Sequence, residues 1–483
     1  NVDVYGEIAN VVFPGTAPAA PTGVVGWDQL GLDIVHEDGL DHGWSVAMSS
    51  DGSIVAVGCI GRWEQPSMIG STRIYQNISG TWTKIGQTIQ GAAALDRSAY
   101  SVSLSSDGQI VSVGSRYHDS NKGHVQVYQY NGTNNWAKLG QDIDGENNDD
   151  NAMICKLSSD GYTVAVGAYS NDDNGNLSGH TRVFNYNGVN TWSQIGLTIP
   201  GEFAEDNSGL DLSLSANGEI VAIGARSNDG NGNRSGHVRV FQNISGTWTQ
   251  IGGDIDGEAA EDQSSSGQGN AVSLSADGQI VAIGARYNDG NGNLISNAGH
   301  TRVYQYDVTK TTGESDQTSP DYGPIGWRRL GQDIDGEASD DQSGIAVSLS
   351  SDGNIVAIGA YNVDSLDANG NLLNNTGNVR VFKYNGTDTW TQIGSNINGT
   401  AYNETSGWAV ALSSDGYKVI IGSNAGYSNS VPARVYQYTP PTPDPTYITG
   451  TTTYSYSLDA SNNATLTAFT PIDYAGDLPI VDV

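Results

Sequence analysis

The chain of 483 residues has two cysteines, Cys59 and Cys155, so disulfides cannot be its stabilising framework and the redox compartment stays open. No run approaches the ~20 apolar residues that a membrane span needs, so no membrane insertion is expected. Basic residues are scarce, 21 against 53 acidic ones. The resulting formal charge of −32 opposes binding to nucleic acid and to anionic membrane surfaces, and makes cations the better small partners. Sustained helical periodicity is also missing. In its place stand 63 glycines, with Asn, Asp, Ser and Thr crowding the gaps between short apolar runs, which reads as all-β with many turns. The sequence opens at Asn1 without a methionine, and a processed, secreted and extracellular product is expected.

What is present is one unit used seven times. The strings AMSSDGSIVAVGC, SLSSDGQIVSVGS, KLSSDGYTVAVGA, SLSANGEIVAIGA, SLSADGQIVAIGA, SLSSDGNIVAIGA and ALSSDGYKVIIGS carry their turn glycines at Gly52, Gly108, Gly161, Gly218, Gly278, Gly353 and Gly416. These lie 53 to 75 residues apart, which suits a four-stranded propeller blade better than a solenoid coil. Alternating apolar residues such as Val102 and Leu104 mark a strand A. Asp-Gly or Asn-Gly marks a tight turn, whose positive φ angles that pair tolerates best, and a β-branched run such as Ile280 to Ile283 marks strand B. Strand C carries Arg-Val-aromatic, as at Arg182 to Phe184, with Gln126 replacing the arginine once. Strand D opens with tryptophan and runs into an aliphatic-Gly pair.

Strand D also occurs seven times, at Trp27, Trp82, Trp136, Trp192, Trp248, Trp327 and Trp390, but Trp27 precedes the first A strand and none follows the last C strand. The count balances only if the strand of Trp27 and Leu30 completes the last blade and closes the ring, which protects its edges. The expected fold is therefore an all-β, seven-bladed β-propeller closed by an N-terminal strand, with strand-forming terminal extensions. Its expected segments are an arm and spacer at 1–26, the propeller at 27–438, a Pro-rich linker at 439–446 and a hairpin tail at 447–483.

The run from Gly43 to Cys59, GWSVAMSSDGSIVAVGC, resembles the FG-GAP repeat of integrin-α-type propellers, and the similarity covers roughly Trp27 to Tyr438. Members with a D-x-D-x-D-G calcium loop carry it between strands A and B. Here that link is only a Ser-Ser-Asp-Gly type of turn, so the metal loop is not carried over.

In an up-and-down blade the B–C and D–A links share one end. The D–A links are acidic, as at Asp142, Asp144, Glu146, Asp149 and Asp150, and the B–C links add Asp172, Asp173, Asp229 and Asp289, so one face should be strongly negative. Asp229, Asn231 and Asn233, repeated as Asp289, Asn291 and Asn293, offer hard oxygen ligands to Ca²⁺, and the same residues are what any exposed turn uses. No other cofactor is indicated. His124, His180, His237 and His300 share one repeat position ahead of strand C, which favours a packing or hydrogen-bonding role over a unique reaction, and the strand-D tryptophans read as blade packing. Cys59 and Cys155 read as buried small side chains. No non-repeating acid, base and nucleophile set is found, so no enzyme is expected.

One C–D link is long, the twenty residues Asp307 to Gly326. Outside the ring, Val2 and Val4 mark a strand-like arm, and Tyr454, Tyr456, Leu458 and Leu466 mark a hairpin behind a proline spacer. A lone hairpin is marginal in water and needs a partner surface. These features lead to the expectation of a structural subunit of an extracellular fibre, appendage or surface assembly, a homo-oligomer or polymer joined through terminal strands. The alternative is a monomeric adhesin or ligand-binding propeller for a cell-surface or carbohydrate ligand.

Overall fold

The computed structural model describes residues 26–35, 43–61, 69–267, 270–290, 295–317, 319, 321–367, 369–424 and 431–440, and the backbone of Tyr454–Leu458 and Ala464–Phe469. Residues 26–439 form one compact unit of seven antiparallel blade sheets and a two-stranded ribbon, Ser365–Leu366 with Leu372–Leu373, and the hairpin belongs to a second unit. In blade 2, for example, strand A is Ser98–Leu104, B is Ile110–Ser115, C is His124–Tyr130 and D is Trp136–Lys138. The A strands of successive blades touch in unbroken sequence around the ring, from Ser45–Met48 of blade 1 to Ala409–Leu412 of blade 7 and back, so strand A lines the axis. The seventh sheet is closed by the start of the unit: Gly26–Gln29 pairs with Arg434–Thr439, Trp27 opposite Tyr438.

Two recurrent residues explain why the repeat reads as it does. In the A–B turn of blade 2, Gly108 takes φ +67, and a Cβ there would run into Ile54 of blade 1. The preceding aspartate does not share the positive φ that sequence reasoning gives the Asp-Gly pair. Asp107 instead accepts hydrogen bonds from the Ser105 hydroxyl (2.6 Å) and the Gln109 N–H (2.9 Å), making a side-chain-closed turn. In strand B the second glycine is a matter of approach. A Cβ on Gly167 would lie 2.0 Å from the carbonyl oxygen of Gly209, because the next blade's strand A begins against it.

Each blade is also tied to the next by hydrogen bonds that close on themselves. At the A–B turns, Ser50 N–H donates to Ser106 C=O, Ser106 to Ser159, Ser159 to Ala216, Ala216 to Ala276, Ala276 to Ser351, Ser351 to Ser414 and Ser414 back to Ser50, all at 2.8 to 2.9 Å. At the outer rim each strand-D indole N–H donates to an aliphatic carbonyl of the preceding blade, as Trp136 does to Ile85 (2.9 Å) and Trp192 to Leu139 (2.7 Å). The rim series also closes: Trp27 donates to Ile393 (2.8 Å), and Leu30 C=O accepts from Trp82 (2.7 Å). Rows of β-branched and leucine side chains fill the space between blades, such as Val125, Ile143, Leu157, Val164 and Trp192 between blades 2 and 3.

The blades are richer than four strands. In six of them the D–A link returns to the front of strand C as a two-residue strand, such as Ile143–Asp144 against Val125 and His124. Strand D is short and covers only the rear of strand C, so this fifth strand occupies the remaining edge and places the acidic link beside the strand-C histidine. In blade 7 the single bridge of Ile34 to Ala433 does the same.

Deleting residues 1–35 should lower the melting temperature of the whole propeller by roughly 5 °C or more, because it opens the edge of blade 7 and removes both indole clasps that cross the seam. Deleting residues 1–20 should leave the temperature unchanged, and differential scanning calorimetry compares the two.

Candidate functional site

The joints between blades collect the chain's titratable groups. Strand C presents an arginine whose guanidinium reaches back to the preceding blade: Arg182 Nη2 donates to Asp144 C=O (2.6 Å), Arg239 to Pro200 C=O (2.7 Å) and Arg380 to Asp335 C=O (2.6 Å). Each is buried against its own strand-C ring, with Phe184, Phe241 and Phe382 all 5.3 Å away, a cation–π arrangement.

The acidic D–A links divide into two kinds. Asp150, Asp206, Asp262 and Asp341 are buried turn anchors, each accepting a backbone N–H three residues back at 2.7 to 3.0 Å. The first three also receive the amide of a B–C link asparagine, Asn171, Asn228 and Asn288. Burial pushes the carboxyls of Asp206, Asp262 and Asp341 upward. The second kind, Glu146, Glu202 and Glu258, faces the next blade's arginine with one oxygen and its histidine with the other. Glu146 Oε1 lies 3.6 Å from Arg182 and Oε2 lies 3.9 Å from His180 Nδ1, while Glu202 stands 3.6 Å from Arg239 and 3.8 Å from His237.

The four repeat histidines are buried, as packing residues would be. The structure gives His124 and His180 no hydrogen-bonding role, since neither ring nitrogen of either has a hydrogen-bond partner among the described residues; Nε2 of His237 has none, and Nδ1 of His300 faces Glu258 Oε2 at 3.3 Å. Burial and the Arg239 charge bring His237 down to about 4, and burial with the neighbouring His118 does the same to His124. Burial, Asp254 and Glu202 together raise Asp256 to about 6, the mark of carboxyls crowded at one joint.

The loop residues offered above for Ca²⁺ are engaged locally. Asp229 Oδ1 accepts the Arg234 N–H (2.7 Å), Asn231 donates to Gly257 and Glu258 carbonyls (2.9 and 2.7 Å), and Asn233 donates to Glu261. Asp289 accepts the Asn297 N–H (2.9 Å), and Asn291 and Asn293 lie outside the described residues. The long link Asp307 to Gly326 is held to its own blade by Arg328 with Asp307 (2.6 Å) and Asp321, and by Lys310 Nζ donating to Asp321 C=O (2.6 Å).

A second cluster, which repeat logic passes over, rings the axis at the end opposite the A–B turns. Trp44 contacts Trp408 and Tyr100 (5.1 and 5.2 Å), Tyr361 contacts Trp408 (5.2 Å), and Arg116 donates to the hydroxyls of Tyr100 and Tyr169. Arg226 and Arg286 continue the circle between Tyr169 and Tyr361. The buried carboxylate of Asp211 acts on Arg226 from beside this circle, raising its guanidinium pKa against the effect of burial. The guanidinium pKa of Arg226 is lowered by burial and, among its neighbours, by the Arg286 charge. Arg116, Tyr169, Arg226, Arg286 and Tyr361 follow strand B in successive blades, but the residue type there switches between arginine and tyrosine, so it does not stand out as a repeated residue.

His237→Asn should reduce acid sensitivity, since Asn378 fills the equivalent position of blade 6. An unfolded histidine takes up its proton near pH 6.5, whereas the folded one does so only near 4, so the unfolded state binds more protons between these values and stability falls as pH drops through that window. In chelator, urea unfolding at pH 7 and pH 4.5 should show a loss smaller in the variant by up to about 3 kcal/mol. Equal losses would contradict a buried neutral His237.

No protein-family profile matches the chain, and no curated protein does. Solved structures with partial similarity include hydrazine synthase of Kuenenia stuttgartiensis (14% identity, 92% of this chain and 99% of that one, TM-score 0.47). Two others are a periplasmic gluconolactonase of Pseudomonas aeruginosa (15%, 74% and 85%, 0.46) and a putative 6-phosphogluconolactonase from Bacteroides uniformis (14%, 76% and 88%, 0.46). At such identities and scores, none of these names transfers chemistry to this chain, and the integrin-α resemblance has no matching family profile behind it. What stands is a seven-bladed β-propeller.

Proposed function

We propose that this chain is a non-catalytic subunit of an extracellular fibre, appendage or surface assembly, in which the propeller is a bead and terminal strands are the connectors. The observation that carries this reading is the hairpin Tyr454–Leu458 with Ala464–Phe469, with Tyr456 opposite Leu466 and Leu458 opposite Ala464. Among the described residues its strands pair only with each other, and in this reading the outer edges take part in strand addition. The partner strand in this reading is the arm carrying Val2 and Val4, which lies outside the described residues. Pairing between chains is a heterologous contact that repeats without limit and builds a filament. The recurrent histidines, tryptophans and arginines lie at the joints of the ring, which agrees with a protein whose side chains build a scaffold.

The alternative, a ligand-binding or adhesive propeller, is favoured by the arginine and aromatic circle around Arg226 and Arg286. The guanidinium groups of Arg226 and Arg286, next to Tyr169 and Tyr361, suit a carboxylated or sulfated sugar, with charge on the acid and stacking on the ring.

Removing residues 1–13 should leave intact propellers that no longer polymerise, and adding the free peptide should block assembly of the full chain, both read by negative-stain imaging and light scattering. Filaments from the truncated chain, or a full-length chain that stays monomeric at high concentration, would refute the strand connector. On the alternative, an Arg226→Gln/Arg286→Gln pair should weaken binding to a uronate-bearing or sulfated glycan array at least tenfold, while a neutral glycan is unaffected.

A further inference from the structure

We propose that two joints of the ring are metal sites for a divalent first-row transition ion of the zinc class: His180 with Glu146 and Asp173 between blades 2 and 3, and His237 with Glu202 and Asp254 between blades 3 and 4. In each trio the candidate ligand atoms lie within 4.8 Å of one another. The residues come from separate links that the fold brings together: Glu146 from the D–A link of one blade, Asp173 and His180 from the B–C link and strand C of the next.

Acidic clusters are common on a chain of charge −32, so the histidine decides the matter. His180 has no exposed surface, and neither of its ring nitrogens has a hydrogen-bond partner, a state that is costly for a buried polar group. Its Nδ1 stands 3.7 Å from Asp173 Oδ2 and 3.9 Å from Glu146 Oε2, too far for hydrogen bonds. Ligand atoms bound at about 2.0–2.2 Å around one ion stand roughly 3 to 3.5 Å apart. The two histidine–carboxylate gaps therefore close with shifts of a few tenths of an ångström each. Those shifts fall on the carboxylates, which are 42% and 55% exposed at the side chain, while the imidazole is already fixed.

The arginine is part of the arrangement. Arg182 faces Glu146 Oε1 and leaves Oε2 for the ion, and Arg239 stands in the same relation to Glu202, the outer-shell pattern that orients a ligating carboxylate. Two carboxylates and one guanidinium leave a net charge near −1 for a doubly charged ion to neutralise. A nitrogen donor beside two carboxylates selects a zinc-like ion over Ca²⁺ or Mg²⁺, which take oxygen alone. The joint between blades 4 and 5 is excluded by the same reasoning, because Arg302 already holds Glu258 and grips Asp333 through two hydrogen bonds (3.0 and 2.9 Å). Blade 6 has Asn378 in place of the histidine.

The test uses the full chain, stripped with chelator, and calorimetric titration with Zn²⁺ and with Ca²⁺, with Co²⁺ absorption in the visible as a reporter of nitrogen ligation. The comparison is with a His180→Asn/His237→Asn double variant, whose fold is checked by circular dichroism. Wild type should bind at least two equivalents of Zn²⁺ more tightly than Ca²⁺ by a hundredfold or more, and the double variant should lose two of them together with the Co²⁺ bands. The inference is overturned if Zn²⁺ does not bind, if the double variant binds it with the same stoichiometry, or if Ca²⁺ binds as tightly and survives the substitutions.

Discussion

The structure depends on a cycle of seven backbone hydrogen bonds in which each blade donates from its A–B turn to the next, and the last, Ser414 to Ser50, returns to the first. A four-stranded blade has two open edges and, in isolation, little core. Stacked in an open row, the first and last blades would still present theirs. The cycle closes after seven blades, and the opening strand of the unit, Gly26–Gln29, supplies the outer strand of the last one. The indole clasps at the rim repeat the same constraint at larger radius, with Trp27 and Trp82 as the two that cross the seam.

Electrostatics follow from that closure. The D–A links must cross from one blade to the next, and as they do they carry carboxylates into partial burial beside the strand-C arginines. Some of these acids become turn anchors and others face a histidine that burial keeps neutral. Raised carboxyls such as Asp256 and the lowered His237 are two results of one cause, charge crowded at a joint where water is partly excluded. At the axis the balance is reversed, with Arg116, Arg226 and Arg286 among aromatic rings and Asp211 as a carboxylate acting on Arg226. A chain of strongly negative total charge thus keeps a small cationic centre.

Much of the architecture is legible from residues that recur. The seven Ser-Asp-Gly type turns, the β-branched strands and the displaced Trp27 together imply the ring and its seam, because turn chemistry and alternation are local and a count is exact where a propensity is not. The fifth strand is hidden because two residues, such as Ile143 and Asp144, are too few for alternation to register. The anchoring role of Asp150 or Asp262 is hidden because exposed and buried aspartates look alike until the turn they close is known. The circle of Arg116, Tyr169, Arg226, Arg286 and Tyr361 stands at one repeat position, just after strand B, but the residue type there switches between arginine and tyrosine, so reasoning by repeated residues passes over it. The histidines are the instructive case: their recurrence gives them one position ahead of strand C, and it says nothing about the joint they meet there or whether their nitrogens find partners in it.

The closed cycle is the claim on which the rest stands, and native-state amide hydrogen exchange reaches it directly. The N–H groups of Ser50, Ser106, Ser159, Ala216, Ala276, Ser351 and Ser414 sit in turns, where amides ordinarily exchange fast. If the cycle is closed, all seven exchange only through global unfolding, as slowly as the strand-B amides of Val111 or Val221. Fast exchange at Ser414, with the other six protected, would show the ring open between blades 7 and 1 and would contradict the account.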